Sequence, residues 1–475
     1  MRRTRTTPFS EPRGADTRRE HGMTEPHHIL IIGGGASGTI LAAHLLRNGP
    51  PGLRLTLVER RERLGRGIAY DTPHAAHLLN TRVGAMSAFA DRPDHFHDWL
   101  AAQGTPGDRD AFVPRHLYAA YLESLVSSAA RLRREQEECI SLTHGSNGRI
   151  AAHLADGRMI LADRAVLATG HPLLQAGTDM LERAEFDPWH APLPESPEAR
   201  VLIVGTGLTM VDRVMRLLEA GHRGEIVILS RRGLLPRVNG PSRPIELDRA
   251  DLPLGAGAGY ALRWLRKQVR WHEGRGGDWR DIVDGARGHL ALWWQSVPPE
   301  TRGRFLRHAR RFWEIHRHRI PAPVAARLDT ARLAGQVRLV TGTLLSAAER
   351  EGRHSVTLRH RGGELETVEV TQITDGRGLL RDPEDHATPL VRSLVDGGMA
   401  RIDALRIGLE VTAEGQVLPR PGTPAAPLHA IGPAARAASW EGLAIVDIRA
   451  QAALLVSRLI SGDATTVEAR RRPCG

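Results

Sequence analysis

Cysteine is nearly absent from this chain: Cys139 and Cys474 are the two among 475 residues. They stand far apart and fit no C-x-x-C spacing, which leaves no disulfide framework and no zinc site, and argues against a dithiol redox centre. Lysine is scarcer still, Lys267 alone, so the formal net charge of +11 comes from arginine scattered through every segment, part of it in the leader before Met23. Nucleic-acid binders gather basic residues into a patch or stripe. This scatter reads instead as compositional bias with a disordered tail, and no nucleic-acid partner is expected; Met23 is an alternative start. Nothing approaches the ~18 apolar residues of a membrane span, and the leader lacks the apolar core of a secretory signal. A cytoplasmic protein without a membrane partner is therefore expected. A hydrophobic share of 41% rules out a wholly disordered chain, and the length exceeds what one hydrophobic core usually spans, so two or three domains are expected.

What the chain has in abundance is glycine at strand ends. "HILII" (28–32) is a short apolar strand candidate, followed by Gly33, Gly35 and Gly38 and then the helical pattern "TILAAHLLRNG". The next strand, "LRLTLVE", ends on Glu59, near the ~20-residue spacing of the dinucleotide-binding fingerprint. A second unit runs "RVLIVG", Gly205 and Gly207, the helix "LTMVDRVMRLLEAG" and the strand "EIVILS", whose tip carries Ser230, Arg231 and Arg232. In such a turn one glycine permits the bend, the next lets backbone approach a pyrophosphate, and the third lets helix pack on strand; the anion then rests on the free amides of the helix start. The first unit has all three glycines, and Glu59 suits a ribose with free hydroxyls, as in the adenosine of FAD or NAD. In the second, Met210 replaces the third glycine. There a guanidinium pair, Arg231 and Arg232, would attract a 2′-phosphate, which points to NADPH.

Two nucleotide sites imply a flavin reduced by a nicotinamide. The fold class expected is α/β, two Rossmann-like dinucleotide-binding domains for FAD and NADPH with an added helical segment. The boundaries read from the pattern are a disordered basic leader (1–26), a first FAD-binding part (27–175), an NADPH-binding domain (176–375) with a helical segment at about 245–330, a return segment and final helix of the FAD domain (376–465), and a tail (466–475).

Further motifs resemble the two-dinucleotide-binding flavoprotein superfamily, and within it the bacterial FAD/NAD(P)-binding family with urate-hydroxylase-like and N-hydroxylating members. They are "GRGIAY" (65–70), "HLLNTRVGAMSAF" (77–89), "FVPRHLYAAYL" (112–122), "VLATGHP" (166–172), "VLIVGTGLTMVD" (201–212), "LSRRGLLPR" (229–237) and "FLRHARRFWEIHRHRIP" (305–321). The resemblance implies an FAD site at Gly33, Gly35, Ala36, Ser37, Gly38, Glu59, Arg60, the Gly65, Arg66 and Gly67 loop, Met86 and Ser87. Thr169 and Gly170 mark a crossover, and Gly432 and Trp440 a last flavin contact. For NADPH it implies Gly205, Thr206, Gly207, Leu208, Thr209, Ser230, Arg231 and Arg232. Asn80 is the candidate catalytic residue, a hydrogen-bond donor near a flavin C4a-hydroperoxide; its plain alternative is a turn residue. Two segments depart from the family pattern, "ITDGRG" around Asp375 and "WEGLAIVDIR" with Gly442 and Asp447.

The implied reaction is oxygenation of a small nitrogen-bearing metabolite with molecular oxygen as co-substrate. The alternatives are an NADPH-dependent flavin reductase and a non-catalytic FAD-binding protein, and a homo-oligomer is left open. Six of the nine tryptophans lie between Leu252 and Leu328. Phe305, Ala309, Phe312 or Trp313, and His316 fall at helical spacing and read as the segment's own packing face, with a substrate wall as the alternative. "HRHR" (316–319) reads equally as a carboxylate-binding pair of arginines or as a solvated helix end. The 23 histidines show no metal-ligand spacing; His74, His77, His95 and His97 cluster in sequence alone, and no metal is expected.

Overall fold

The computed structural model describes residues 28–105, 107–171, 191–377, 382–385 and 387–461. The boundary expected at 175/176, the leader and the tail lie outside the described residues.

Chain order gives β1 (His28–Ile32), β2 (Arg54–Val58) and β3 (Leu132–Glu135), then an antiparallel trio, β4 (Cys139–His144), β5 (Ile150–Leu154) and β6 (Met159–Ala162), then β7 (Arg164–Leu167). The second half has β8 (Val201–Val204), β9 (Ile226–Ser230), β10 (Val337–Arg350), β11 (Arg353–His360), β12 (Leu365–Val370), β13 (Gln372–Asp375) and β14 (Leu428–Ala430). They form two principal sheets. The first, in the order β14-β7-β1-β2-β3, is parallel throughout. The second, β12-β11-β10-β9-β8-β13, is parallel from β10 to β13 and extended at one edge by the antiparallel strands β11 and β12. A parallel strand covered on both faces must be apolar on both. That is why "HILII", "VLIV" and "IVILS" are nearly continuous runs, buried along almost their whole length.

Both glycine units are thus Rossmann-like βαβ units, as the sequence pattern predicts. The first sheet draws β14 from the far end of the chain, and the final helix (Ile445–Ser461) packs beside the first helix (Ala36–Asn48) in one core with Ile40, Leu41 and Leu459. Between β9 and β10 the chain builds six helices from Ala258 to Leu333, beginning with Ala258–Glu273 and Trp279–Arg287. Return residues also bury Leu390 and Leu394 against β4 and β5.

Candidate active site

Each glycine turn is crossed by the strand that leaves its sheet, and this crossing demands the glycine. Gly33 has φ +105°, and a Cβ there would stand 2.5 Å from the Ala168 carbonyl oxygen at the end of β7. Gly205 repeats the arrangement at φ +117°, with a would-be Cβ 2.3 Å from the Gly376 carbonyl oxygen beyond β13. Side chains cannot occupy either place. Thr169 and Gly170 follow the first crossing, and Gly376 and Arg377 of the departing "ITDGRG" make the second. Asp375 is buried and accepts from the backbone and guanidinium of Arg377.

The helices that follow begin at Gly35 and Gly207, and neither has a side-chain cap. Their first-turn amides, those of Ala36, Ser37 and Gly38 in one and Leu208 and Thr209 in the other, therefore lack a capping acceptor at the positive end of a helix dipole, the arrangement that binds anions. Gly38 lets the first helix close on its strand: a Cβ there would stand 1.9 Å from the Gly33 carbonyl oxygen. At the equivalent place Met210 is fully buried in the core of the second sheet with Val201 and Ile203.

Around the first turn, Glu59 accepts from the Gly34 amide (2.7 Å) and the Arg61 amide (3.0 Å), so its carboxylate is fixed at the tip of β2. Gly65 donates its amide to the Gly34 carbonyl, and Gly67 stands against Gly35, its would-be Cβ 3.4 Å from that Cα. Arg66 is carried into this fold. Its Nη1 stands 3.4 Å from Asp71, while its Nε is buried without a partner. A buried donor with no acceptor beside an uncapped helix start fits a phosphate group. Arg60 is different: it is half exposed and faces Glu138 at 3.8 Å. Met86 is in the core, and the buried Ser87 hydroxyl donates to the Phe89 and Arg92 carbonyls. These two shape the loop by packing and internal hydrogen bonds. Asn80 is half-buried; its carbonyl accepts from the Asn239 amide at 3.1 Å, and its side chain makes no hydrogen bond among the described residues. From the return segment, Gly432 packs on the same turn, where a Cβ would meet Ser37 Oγ at 2.2 Å.

The second turn departs from the sequence reading in one respect. Arg231 and Arg232 do not act as a pair. Arg231 is exposed and makes no hydrogen bond or ion pair among the described residues, whereas Arg232 donates to the carbonyls of Arg307 and His308 (both 3.1 Å) and lies over the Phe312 ring. The last carbonyls of a helix attract a cation, and alternation along a strand end sends neighbouring side chains apart. A residue that sequence reasoning missed stands closer: Arg311, its guanidinium lowered from its ordinary range by burial, donates to Thr206 Oγ1 at 2.6 Å. Thr206 in turn meets Ser230 Oγ at 3.2 Å. Arg311 belongs to the quoted "FLRHARRFWEIH" motif, but nothing in that pattern says which arginine turns toward the glycines.

Three further sequence readings change. Trp440, expected at the flavin, is buried against Trp294 and Phe305 and has φ +55°. "HRHR" is neither a solvated helix end nor open to a substrate carboxylate. Arg319 pairs with Asp284, and Arg317 and His318 face the buried Glu441 at 3.7 and 3.5 Å. Burial pushes the Glu441 carboxyl up to about 7 and the His318 imidazole down to about 3. His74 and His77 are neighbours in space as well as sequence, their rings 5.1 Å apart. Among the described residues, no three His, Cys, Asp or Glu side chains form a metal cluster, and no helix is long and apolar enough to cross a membrane.

A buried ion pair ties the two turns together. Arg115, beyond the "GRGIAY" loop, grips Asp212 of the second helix with two hydrogen bonds of 2.9 and 3.0 Å, and His77 Nε2 donates to the Asp212 carbonyl.

Residues 30–172 match the family model described as FAD-NAD(P)-binding. Solved structures share the fold over most of the chain. Ornithine N-hydroxylase from Kutzneria sp. 744 is 15% identical with a TM-score of 0.62, over 91% of this chain and 98% of that one. L-Lysine 6-monooxygenase from Pseudomonas syringae is 16% identical with a TM-score of 0.61, over 92% and 99%. Bacillithiol disulfide reductase from Staphylococcus aureus, 13% identical, aligns over 92% and 98% with a TM-score of 0.53. No curated protein matches the sequence.

Proposed function

We propose that the chain is an FAD-dependent, NADPH-consuming monooxygenase that oxygenates a small nitrogen-bearing molecule, by N-hydroxylation in the simplest case. The observation that carries this reading is the duplicated, uncapped helix start beneath a crossed glycine turn, with a carboxylate at the tip of β2 and an exposed arginine at the tip of β9. Likeness to the N-hydroxylases supports it. The division into an FAD part (27–175 with 376–465) and an NADPH part (176–375) is of a piece with the reading.

When bound, FAD supplies the electron transfer and the oxygen chemistry, taking its electrons from the nicotinamide. The chain's own work is to bind and orient. The amides of Ala36, Ser37 and Gly38, with Arg66, Gly65 and Gly67, hold one pyrophosphate, and Glu59 takes ribose hydroxyls. Gly205, Thr206, Gly207, Leu208 and Thr209 hold the other pyrophosphate beside Arg311, and Arg231 with Ser230 takes the 2′-phosphate. Asn80 offers its free side-chain amide to the reacting oxygen. Two electrons from NADPH and one proton balance the reaction: one atom of dioxygen forms the new N–O bond and the other leaves as water.

A reductase acting through a thiol is disfavoured by a specific observation. Cys139, the one cysteine among the described residues, is buried, and burial pushes its thiol up to about 12, so it is no nucleophile.

The test is the visible spectrum of the purified protein during anaerobic addition of NADPH or NADH, followed by turnover under isotope-labelled dioxygen. Faster bleaching by NADPH and label in the N-oxygenated product of an added amine are expected. A protein that takes up no FAD, or one whose electrons all go to hydrogen peroxide or an external acceptor with every amine offered, overturns the reading.

A further inference from the structure

The helices between β9 and β10, with the loop that precedes them, line a half-open cavity of about 700 Å³, inside the range of ~300–1,000 Å³ that small-molecule pockets occupy. Its walls include Trp264, Trp279, Trp293, Trp313, Phe305 and Phe312. The aromatic stripe therefore does two things. Trp293 and Phe305 are buried against Trp294 and Trp440, as a packing face would be. Trp264 and Trp279 are only partly covered, and Phe312 is 39% exposed. The helix Ala258–Glu273, which brings Trp264, buries none of its residues fully. Aromatic residues that served packing alone would close to interior density; these leave a chamber.

The cavity is linked through neighbouring residues to the second glycine turn and to the loop that carries Asn80. Val238 lies in its wall, and the next residue, Asn239, donates to the Asn80 carbonyl. Phe312 lies in the wall under Arg232, and its neighbour Arg311 reaches Thr206.

Charge at the rim is predominantly positive. Arg237, Arg266 and Arg270 line the cavity, are exposed, and make no side-chain hydrogen bond or ion pair among the described residues. Glu273 is the one carboxylate in the lining. A lysine-like or ornithine-like substrate carries an ammonium group that needs a carboxylate and a small polar pocket. Here the walls are flat and apolar, with no small polar pocket among the described residues, and three exposed guanidinium groups outnumber the single carboxylate of Glu273.

We propose that this cavity is the substrate chamber of the reaction proposed above, and that its occupant is a flat, largely apolar, nitrogen-bearing molecule that also carries an anionic group. The apolar body lies among the tryptophans and the anion meets Arg237, Arg266 and Arg270. That the chamber serves oxygenation rests on the proposed function; that it binds such a molecule does not.

The test titrates the full chain with anilinonaphthalenesulfonate and with its uncharged counterpart phenylnaphthylamine, following probe emission and tryptophan quenching. One saturable site for both probes is expected. Ala261→Trp, which places an indole in the cavity wall, weakens both by about tenfold or more. Replacing Arg266 and Arg270 together by glutamine weakens the sulfonate about 3- to 10-fold, as exposed ion pairs would, and leaves the uncharged probe unchanged. No saturable binding, or binding that both changes leave intact, overturns the proposal. Should circular dichroism show that Ala261→Trp does not fold, the double arginine variant decides: equal loss of both probes, or loss of neither, overturns it. NADPH bleaching in the same preparations separates the two readings. Bleaching without probe binding removes the chamber and leaves the reaction, while probe binding without bleaching removes the reaction and leaves the chamber.

Discussion

Alanine at position 38 is the sharpest perturbation of the first turn. Its Cβ would stand 1.9 Å from the Gly33 carbonyl oxygen, with Ala168 Cβ at 3.3 Å closing the other side. Carbon–oxygen contacts in sheets and helix interfaces settle at ~3.3 Å or more, so strand end and helix start must part by about 1.4 Å. Both obstacles lie on or next to backbone, so no rotamer relieves the clash. Overpacking of this kind costs about 1–3 kcal/mol, and the better helix propensity of alanine offsets up to about 1 kcal/mol of that. The net loss of stability is therefore about 0–3 kcal/mol. The loss of cofactor binding is larger, because the amides of Ala36 to Gly38 move by the same distance, enough to take an N–H group out of hydrogen-bond range of a phosphate oxygen. We expect Gly38→Ala to fold, to melt a few degrees early and to be isolated largely free of FAD. The assay is the dissociation constant for FAD from flavin fluorescence quenching, beside a thermal melt. Gly52→Ala is the control, since a Cβ there meets nothing within 4 Å. A Gly38→Ala protein that binds FAD as tightly as the Gly52→Ala control would refute the cradle.

Arg231→Gln is expected to lower kcat/KM for NADPH about tenfold with little change for NADH, since one exposed charge-assisted phosphate contact is lost; Arg232→Gln should leave the preference intact because that side chain is held by the Arg307 and His308 carbonyls. Asp212→Asn is expected to cost about 3–5 kcal/mol in a urea melt, the charge of a part-buried Arg115 being left uncompensated; a wild-type melt would show that the pair does not join the two halves. Glu441 titrates from 4.5 in the unfolded chain to about 7 in the folded one because burial disfavours its charge. The folded state therefore binds the proton more tightly, and the contribution is full below 4.5 and lost as pH rises through 7, about 3 kcal/mol in all. Glu441→Gln should flatten that fall, read as the difference in urea midpoint between about pH 5 and pH 8; parallel curves for the two proteins would contradict it.

Local pattern made both βαβ units legible, because strand burial, the glycine turn and the helix start are all set within some thirty neighbouring residues. Glu59 at the tip of β2 and Arg231 at the tip of β9 follow from the same local register. Other features depend on contacts between distant segments. Arg311 reaches Thr206 across 105 positions, and Arg232 is captured by helix carbonyls 75 and 76 positions away. Trp440 had a place in the motif but takes its partners from Trp294 and Phe305.

The crossings at Gly33 and Gly205 show the division most clearly. Sequence alone determined that a glycine stands at each turn, since the motif and its spacing are local. Only the tertiary structure decided what each glycine makes room for, the carbonyls of Ala168 and Gly376 at the ends of the neighbouring strands β7 and β13, which are remote in sequence. The helical segment divides in the same way. Its composition and helical spacing announced an aromatic face, but whether such a face closes or leaves a chamber depends on how six helices meet, and packing between helices is a property of the assembled set.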